Sequence, residues 1–222
     1  MLNGKTIIIT GANGALGSAV VESAVGQGAS VIAIDRLFNG ERDDIHQITL
    51  DLTDVKAVTT AIAAINTIDG LFNVAGGFAM GPAVHETQAS EWEAMFSMNV
   101  ATARNMCAAV VPKMLAESCG AIVNVGAMSA REGQGNMGAY CVAKSAVMRL
   151  TESLSKELRE QRINVNAVLP SIIDTPTNRA DMPDAEHSKW VDPNDLAEVI
   201  CFLGSDAARA IHGALVPVVG LS

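Results

Sequence analysis

The sequence predicts an α/β protein with one doubly wound parallel sheet of seven strands and helices on both faces. Short β-branched runs alternate with long helical patterns along the whole chain, which is typical of strand–helix–strand units. The strand candidates are almost continuously apolar, as expected for strands covered on both faces. The chain has 222 residues, 49% of them hydrophobic, and no low-complexity linker or repeat, so we expect a single domain over residues 1–222.

Seven runs rich in Ile, Val and Leu carry the strand signal. In chain order they are Thr6–Thr10, Ser30–Ile34, His46–Leu50, Leu71–Val74, Ala121–Val125, Asn164–Val168 and Leu215–Val219. Five longer segments between them have helical patterns. They are Ala15–Gln27, Val55–Ile65, Ala89–Ala116, Met137–Glu160 and Pro193–Gly204. Gly28 ends the first helix, and Asp192 followed by Pro193 begins the last.

Composition and charge exclude several kinds of protein. A formal net charge of −9 argues against nucleic acid as a partner, because a nucleic-acid binder needs a basic surface. The apolar run Ile7–Ile9 is too short for a signal-peptide core, and no segment is long enough to span a membrane, so we expect a cytoplasmic protein. The four cysteines are widely spaced and predict neither a disulfide framework nor a metal site.

Two of the predicted helices have few polar residues on any side. Residues 100–115 contain only three strongly polar side chains, and residues 139–150 are nearly as apolar. A sheet covers one side of such a helix, and the other side needs a second cover. We therefore expect a homodimer or homotetramer formed through the helices at 100–116 and 137–159, with a well-covered monomer as the alternative.

A glycine-rich segment follows the first strand directly. Gly11, Gly14 and Gly17 occur at three-residue spacing between the strand and the start of a helix. This arrangement lets the backbone turn sharply and approach a pyrophosphate at the positive helix end. Together with an acidic residue at the end of the second strand, it predicts a dinucleotide site in a Rossmann-type sheet.

The acidic residue is Asp35, 24 residues beyond Gly11. Its carboxylate is placed to accept both ribose hydroxyls of the adenosine and to repel a 2′-phosphate, so NAD is favoured over NADP. Arg36 leaves the opposite preference open, because a guanidinium stacks on adenine or tolerates the phosphate.

A further motif, Tyr140-Cys-Val-Ala-Lys144, lies 16 residues beyond Asn124. With the glycine-rich segment before it and Asn164-Val-Asn-Ala-Val-Leu-Pro170 after it, the chain resembles the short-chain dehydrogenase/reductase superfamily over essentially its full length. The resemblance implies that Tyr140 is the general acid/base, that Lys144 tunes it and binds the nicotinamide ribose, and that Asn99 anchors a proton-relay water.

The resemblance also implies the cofactor-binding positions. They are Gly11, Asn13, Gly14, Ala15, Leu16, Gly17, Asp35, Arg36, Asp51, Leu52, Asn73, Ala75, Gly76, Tyr140, Lys144, Pro170, Ile173 and Thr175. Independently of the family, residues at i and i+4 share a helix face. We therefore expect the Lys144 ammonium to lie near the Tyr140 phenol and to lower its pKa.

Two features depart from the family. Ala15 takes the position of the usual middle glycine, a spacing that resembles the sugar-nucleotide branch. The serine expected 13 residues before Tyr140 is replaced by Ala127. Either Ser129 substitutes for it, or Ser129 is an ordinary loop residue and the substrate is reactive enough without that donor. Gly126–Ala127 and the segment 174–190 resemble the dihydropteridine reductase branch locally.

The segment 174–190 is a candidate lid at the carboxyl edge of the sheet. Trp190, Met182 and Met80 would cover a ligand or simply pin the loops to the body. Arg179 is a weaker candidate for binding a substrate acid, and His187 and His85 for lining the entrance.

The function predicted is NAD(H)-dependent hydride transfer between nicotinamide and a small-molecule carbonyl or activated quinonoid or imine substrate. Reduction of a quinonoid pterin is the first alternative. A non-catalytic NAD sensor and a sugar-nucleotide epimerase are weaker ones.

Overall fold

The protein forms one seven-stranded, all-parallel sheet with the strand order β3-β2-β1-β4-β5-β6-β7 in a computed structural model that describes residues 1–222. The strands are β1 Thr6–Thr10, β2 Ser30–Asp35, β3 His46–Thr49, β4 Gly70–Asn73, β5 Gly120–Val125, β6 Ile163–Pro170 and β7 Leu215–Val218. All seven predicted strands are present, with ends that differ by a few residues.

Seven α-helices connect the strands or extend the loops between them. They are α1 Ala15–Gly26, α2 Val55–Ala63, α3 Ala89–Phe96, α4 Thr102–Glu117, α5 Gly138–Leu158, α6 Pro176–Asp181 and α7 Pro193–Leu203. None of them combines the length and the apolar composition needed to cross a membrane.

The hydrophobic core has two layers, one on each face of the sheet. Ile7 and Ile9 of β1 pack with α1 and α7, whereas Ile8 between them packs with α2 and α4. Successive side chains of a strand point to opposite faces, so a strand covered on both sides is mostly apolar. This confirms the prediction of a parallel sheet with helices on both faces.

The first crossover runs from β1 to β2, on one side of β1, and the chain later returns to β4 on its other side. Thr10, Asn73 and Asn124 lie in register at the carboxyl ends of β1, β4 and β5. In open parallel sheets, ligands bind at the carboxyl edge where the strand order reverses. The fold therefore places a binding cleft above β1 and β4.

The prediction of a single helix over Ala89–Ala116 is wrong. The segment consists of α3, a π-helical turn over Ser97–Ala101, and α4. The Asn99 side chain, inside that turn, bonds to backbone groups of Gly77 in a different loop. A π turn inserts an extra residue and re-aims the side chains it carries.

The loop 174–190 also contains structure that the sequence did not reveal. Thr175 caps α6, since its hydroxyl accepts a hydrogen bond from the Asn178 N–H at 3.2 Å, and Pro176 begins the helix. A 3₁₀ turn follows at His187–Lys189. Both elements are shorter than the windows in which helical periodicity is detectable.

Candidate active site

The glycine-rich loop between β1 and α1 is tightly packed. Gly11 has φ +66°, and a Cβ there would lie 2.8 Å from the backbone of Ala75. A Cβ at Gly17 would overlap the Gly11 carbonyl oxygen. These two glycines are therefore required by the packing of the loop itself.

Gly14 has a different role, at the N-cap of α1. It has an ordinary φ of −76° and provides no side-chain cap, so the first N–H groups of α1 lack a side-chain acceptor. Ala15 and Leu16 form the first turn behind it. The end of the helix is thus an unscreened positive pole, which suits a phosphate group.

Asp35, the last residue of β2, is joined to this loop. One carboxylate oxygen accepts a hydrogen bond from the Asn13 N–H at 2.9 Å, and the other from the Arg36 N–H at 2.7 Å. Asp35 is half-buried, whereas the Arg36 side chain is exposed. The carboxylate is fixed beside the glycine loop, where it can accept further hydrogen bonds from a ligand.

The opposite wall follows β3. Hydrogen bonds from the Thr53 N–H and hydroxyl hold the pKa of Asp51 below its usual range, and nearby Arg36 adds to this. Leu52 is buried, and its carbonyl oxygen accepts a hydrogen bond from the Asn105 amide at 2.9 Å. A charged group and an apolar side chain therefore lie next to each other on a fixed backbone.

These groups line a cleft of about 270 Å³. Its walls comprise Gly11, Asp35, Arg36, Leu50, Asp51, Leu52, Gly76, Ala94, Ser97, Met98 and Thr102. Six of these residues were predicted from the sequence: Gly11, Asp35, Arg36, Asp51, Leu52 and Gly76. Leu50 and the lining residues of α3, the π turn and α4 were not. The π turn brings the missed residues to the cleft. The sequence pattern of the segment is that of one continuous helix, so it does not reveal the turn.

The strand end below the cleft holds a buried polar chain. The Asn73 amide donates to Asn124 Oδ1, and the Asn124 amide donates to Thr151 Oγ1, both at 2.9 Å. Asn73 lies within this chain rather than on the cleft wall. It joins β4, β5 and α5, and the Ala75 N–H bonds to Thr10 Oγ1 above it at 3.1 Å.

Lys144, Asn99 and Gly76 come together beside the cleft. An ideal Cβ on Gly76 would lie 3.1 Å from Lys144 Nζ and 2.7 Å from Asn99 Oδ1. The Lys144 ammonium donates to the Val125 carbonyl oxygen at 2.9 Å. Asn99 Oδ1 accepts from the Gly77 N–H, while its amide donates to the carbonyl oxygens of Gly77 and Met95, all at 3.1 Å.

Tyr140 lies one turn before Lys144 on α5. Its ring packs edge to face against Phe78, with ring centroids 4.9 Å apart. Its hydroxyl forms no hydrogen bond within the chain and is not sealed from solvent. The only tyrosine of the chain therefore presents a free phenol at the carboxyl edge of the sheet.

Burial shifts the pKa of both groups away from ordinary values. It raises the pKa of Tyr140 to about 12 and lowers the pKa of Lys144 to about 8. The expected lowering of the Tyr140 pKa is wrong for the protein alone, because desolvation of the phenolate dominates. Tyr140 is thus fully protonated at neutral pH.

The turn after β5 carries Ala127, which departs from the family pattern, and Ser129, its candidate substitute. Ala127 is buried in a small apolar cluster against which Tyr140 also packs. Ser129 is half-buried in the 3₁₀ turn Met128–Ala130, and its hydroxyl forms no hydrogen bond within the chain. The Cys141 thiol donates to the Ser129 carbonyl oxygen at 3.4 Å, which ties this turn to the residue after Tyr140.

The segment after β6 is held close to the chain's carboxyl end. Pro170 ends β6, and Ile173 pairs with Val191 in an isolated bridge. Ile173 also accepts a hydrogen bond from the Asn178 side chain at 2.8 Å through its carbonyl oxygen. Together with Thr175, which caps α6, Pro170 and Ile173 form one continuous edge of the segment that follows β6.

Most of the lid candidates have structural partners. Trp190 is buried and packs against the His187 ring, with centroids 4.4 Å apart, so it pins the loop rather than facing a ligand. Arg179 pairs with Asp174 through two hydrogen bonds, which hold the pKa of that carboxyl below its usual range. His85 and Met80 are exposed.

Comparison with known proteins gives consistent matches. Residues 5–186 match the family described as short chain dehydrogenase. The chain is 31% identical to 2-keto-3-deoxy-L-fuconate dehydrogenase of Xanthomonas campestris, over 96% of this chain and 78% of that one. It is 28% identical to L-xylulose reductase of Bos taurus, over 99% and 96% of the two chains.

Solved structures match over nearly the whole chain. Carveol dehydrogenase from Mycobacterium avium in complex with NAD superposes with a TM-score of 0.87 at 26% identity, over 98% of this chain and 97% of that one. ElxO with NADP bound gives 0.89 at 24% identity, over 97% of each chain, and this likeness concerns the fold.

Proposed function

The chain belongs to the short-chain dehydrogenase/reductase superfamily of nicotinamide-dependent oxidoreductases, and from this premise we propose that it transfers hydride between NAD(H) and a small-molecule carbonyl or activated quinonoid or imine carbon. One observation carries the proposal. Lys144 Nζ and Asn99 Oδ1 converge at Gly76, beside the cleft, and Tyr140, on the same helix as Lys144, presents a free hydroxyl.

NAD is proposed as the cofactor. The cleft at the carboxyl edge, the uncapped start of α1 and the fixed Asp35 carboxylate fit a dinucleotide with free ribose hydroxyls. Asp51 and Leu52 would hold the adenine, and Pro170, Ile173 and Thr175 the nicotinamide amide. Arg36 is exposed and free to stack on the adenine, and the carboxylate next to it disfavours a 2′-phosphate.

Tyr140 is proposed as the general acid in reduction. When bound, the nicotinamide supplies the hydride, and the Tyr140 hydroxyl gives its proton to the substrate oxygen. Its pKa of about 12 keeps the proton in place at neutral pH. Loss of this proton leaves a Tyr140 phenolate, and the Lys144 ammonium on the next turn of α5 stabilises that charge. In the oxidative direction the same phenolate is the base that accepts the proton.

Two further residues complete the proposed site. Asn99 holds the Gly77 backbone, and thus the loop that borders Lys144, and is the proposed anchor of the proton relay. Ser129 is proposed as the hydrogen-bond donor to the substrate oxygen in place of a serine at position 127. Its free hydroxyl and the tie of its turn to Cys141 support this role.

A quinonoid pterin is the second candidate substrate. The observation that favours it is Ala127, because a buried methyl group stands where related enzymes have a hydroxyl donor. An activated quinonoid carbon accepts hydride without strong polarisation of an oxygen, so the loss of that donor matters less.

The partner proposed for the whole chain is a second copy of itself, in a homodimer or homotetramer through the helices at 100–116 and 137–159. Val142 of α5 and Leu115 of α4 support this, because both are apolar and exposed on the outer faces of those helices.

The test of the proposed function is Tyr140→Phe. NADH oxidation with a panel of aldehydes, ketones, quinones, imines and a quinonoid dihydropterin should fall by ~10²–10⁴-fold in this variant. NADH binding, followed by its fluorescence, should stay close to that of the unmodified enzyme, which controls for folding and the cofactor site. Retention of more than about a tenth of the rate contradicts the assignment.

A further inference from the structure

The loop that follows β4 has an unusual composition. Residues 74–84, here called the apolar loop, read Val-Ala-Gly-Gly-Phe-Ala-Met-Gly-Pro-Ala-Val and contain no charged or hydrogen-bonding side chain. Phe78, Met80 and Val84 are nevertheless 53%, 66% and 57% exposed. Contiguous exposed apolar side chains next to a cleft mark a surface that binds something apolar.

Hydrogen bonds to its backbone fix the apolar loop. Asn99 bonds to both the N–H and the carbonyl oxygen of Gly77. The Gly81 N–H donates to the Asn136 carbonyl oxygen at 2.8 Å, in the segment that leads into α5. The three residues between these ties, 78–80, are therefore held at both ends although all three are exposed.

The apolar loop faces Tyr140. The rings of Phe78 and Tyr140 meet at an interplanar angle of 82°. Val84 lies against Gly138, two residues before Tyr140. A Cβ added at Gly138 would be 2.6 Å from Val84 Cγ2. On the other side, Met98 lines the cleft and packs against Gly77. An apolar surface thus runs from the cleft to the reacting phenol.

Polar groups are scarce along this surface. The Glu91 carboxylate lies 3.9 Å from the ideal Cβ position of Gly81, and it already accepts the Gln88 N–H in the N-terminal cap of α3. A polyol or keto-sugar needs several hydrogen-bond partners to replace its water, and apolar side chains provide none.

We propose that Phe78 forms the wall of the substrate site beside Tyr140, and that the apolar loop selects carbonyl or conjugated substrates with an aromatic or bulky apolar group over keto-sugars. This inference deepens the proposed function and rests on it. It sets the chain apart from its relative L-xylulose reductase, whose name refers to a sugar.

Kinetics give the first test, with 4-nitrobenzaldehyde and L-xylulose as the two substrates. The unmodified enzyme should have the higher kcat/KM for the aldehyde, and Phe78→Ala should lower the aldehyde-to-xylulose ratio of kcat/KM by about tenfold or more. Phe78→Leu should keep most of the ratio, as should Val55→Ala, an exposed apolar position on α2. A higher kcat/KM for L-xylulose, or an unchanged ratio in Phe78→Ala, overturns the inference.

Binding of 4-chlorobenzamide separates this inference from the proposed function, because the amide is not reduced. Calorimetry on the NAD-loaded enzyme should give a Kd that weakens by about tenfold in Phe78→Ala and not in Val55→Ala. If the Kd weakens in this way while no carbonyl compound oxidises NADH, the inferred apolar site is supported and the proposed reaction is contradicted. If the amide does not bind, or binds equally in Phe78→Ala, the inference is wrong whatever the enzyme reduces.

Discussion

Lys144 illustrates how a residue of the proposed site reduces the stability of the folded protein. Its ammonium is buried and has one acceptor, the Val125 carbonyl oxygen. Burial lowers its pKa from an ordinary 10.5 to about 8, which corresponds to about 3 kcal/mol against the charged form. The protein keeps a buried cation at the place where the proposed reaction needs one, and the free energy of folding is reduced accordingly.

Lys144→Met should therefore stabilise the protein at about pH 7 and abolish turnover. Between the folded pKa of about 8 and the unfolded 10.5, the unfolded chain binds the extra proton, so the stability of the unmodified protein rises with pH in that window. The free-energy advantage of the variant should shrink there by up to about 3 kcal/mol.

Urea unfolding of both proteins between about pH 7 and pH 10 measures this difference. Tyr140, whose pKa is raised to about 12, is present in both proteins and therefore contributes to both unfolding curves. An advantage that stays constant with pH would contradict the burial of a charged Lys144.

At the residue scale, local sequence patterns predicted which side chains share a helix face, but not how deeply those side chains are buried. Tyr140 and Lys144 are four residues apart, and the helix puts them on one side as expected. The direction of the Tyr140 pKa was not predictable, because it depends on burial by residues far away in sequence. Nor did the sequence reveal that Trp190 is packed inward.

At the scale of elements, strands were easier to predict than the helix that borders the site. The inner strands β1, β2, β4, β5 and β6 are largely buried and carry a clear apolar signal. The segment 89–116 is helical throughout by composition, and its π turn is fixed by contacts of Asn99 with Gly77 that no local window contains. The residues that the π turn brings to the cleft were missed for the same reason.

The outer face of α5 leads to a prediction about assembly. Val142 is 46% exposed there. If α4 and α5 form the interface between copies, Val142→Glu buries an unpaired charge and should shift the oligomer to smaller species. Light scattering measures the change, with Val55→Glu on α2 as the matched control.

Two results would contradict this assembly. One is an unmodified protein that is monomeric at micromolar concentration. The other is a Val142→Glu variant that assembles like Val55→Glu.

At the scale of the whole molecule, the strand order and register of the sheet determine where the proposed site lies. A parallel sheet of alternating strands and helices was predictable from composition and periodicity. The position of the cleft depends on the strand order, in which β1 lies between β2 and β4, and on the register of Thr10, Asn73 and Asn124. That register brings together the glycine loop, Gly76 and the first turns of α5, which are distant in the sequence.

The proposed reaction is hydride transfer at this edge with Tyr140 as the proton donor. Its most direct test uses NADH with deuterium at both C4 positions of the nicotinamide, so that a hydride from either face carries the label, and mass spectrometry of the products from the carbonyl, imine and quinonoid panel. The unmodified enzyme should give a product with one deuterium at the position that accepts the hydride, and Tyr140→Phe should give almost none in the same time. Absence of label with every substrate, or equal labelling by both proteins, would contradict the account.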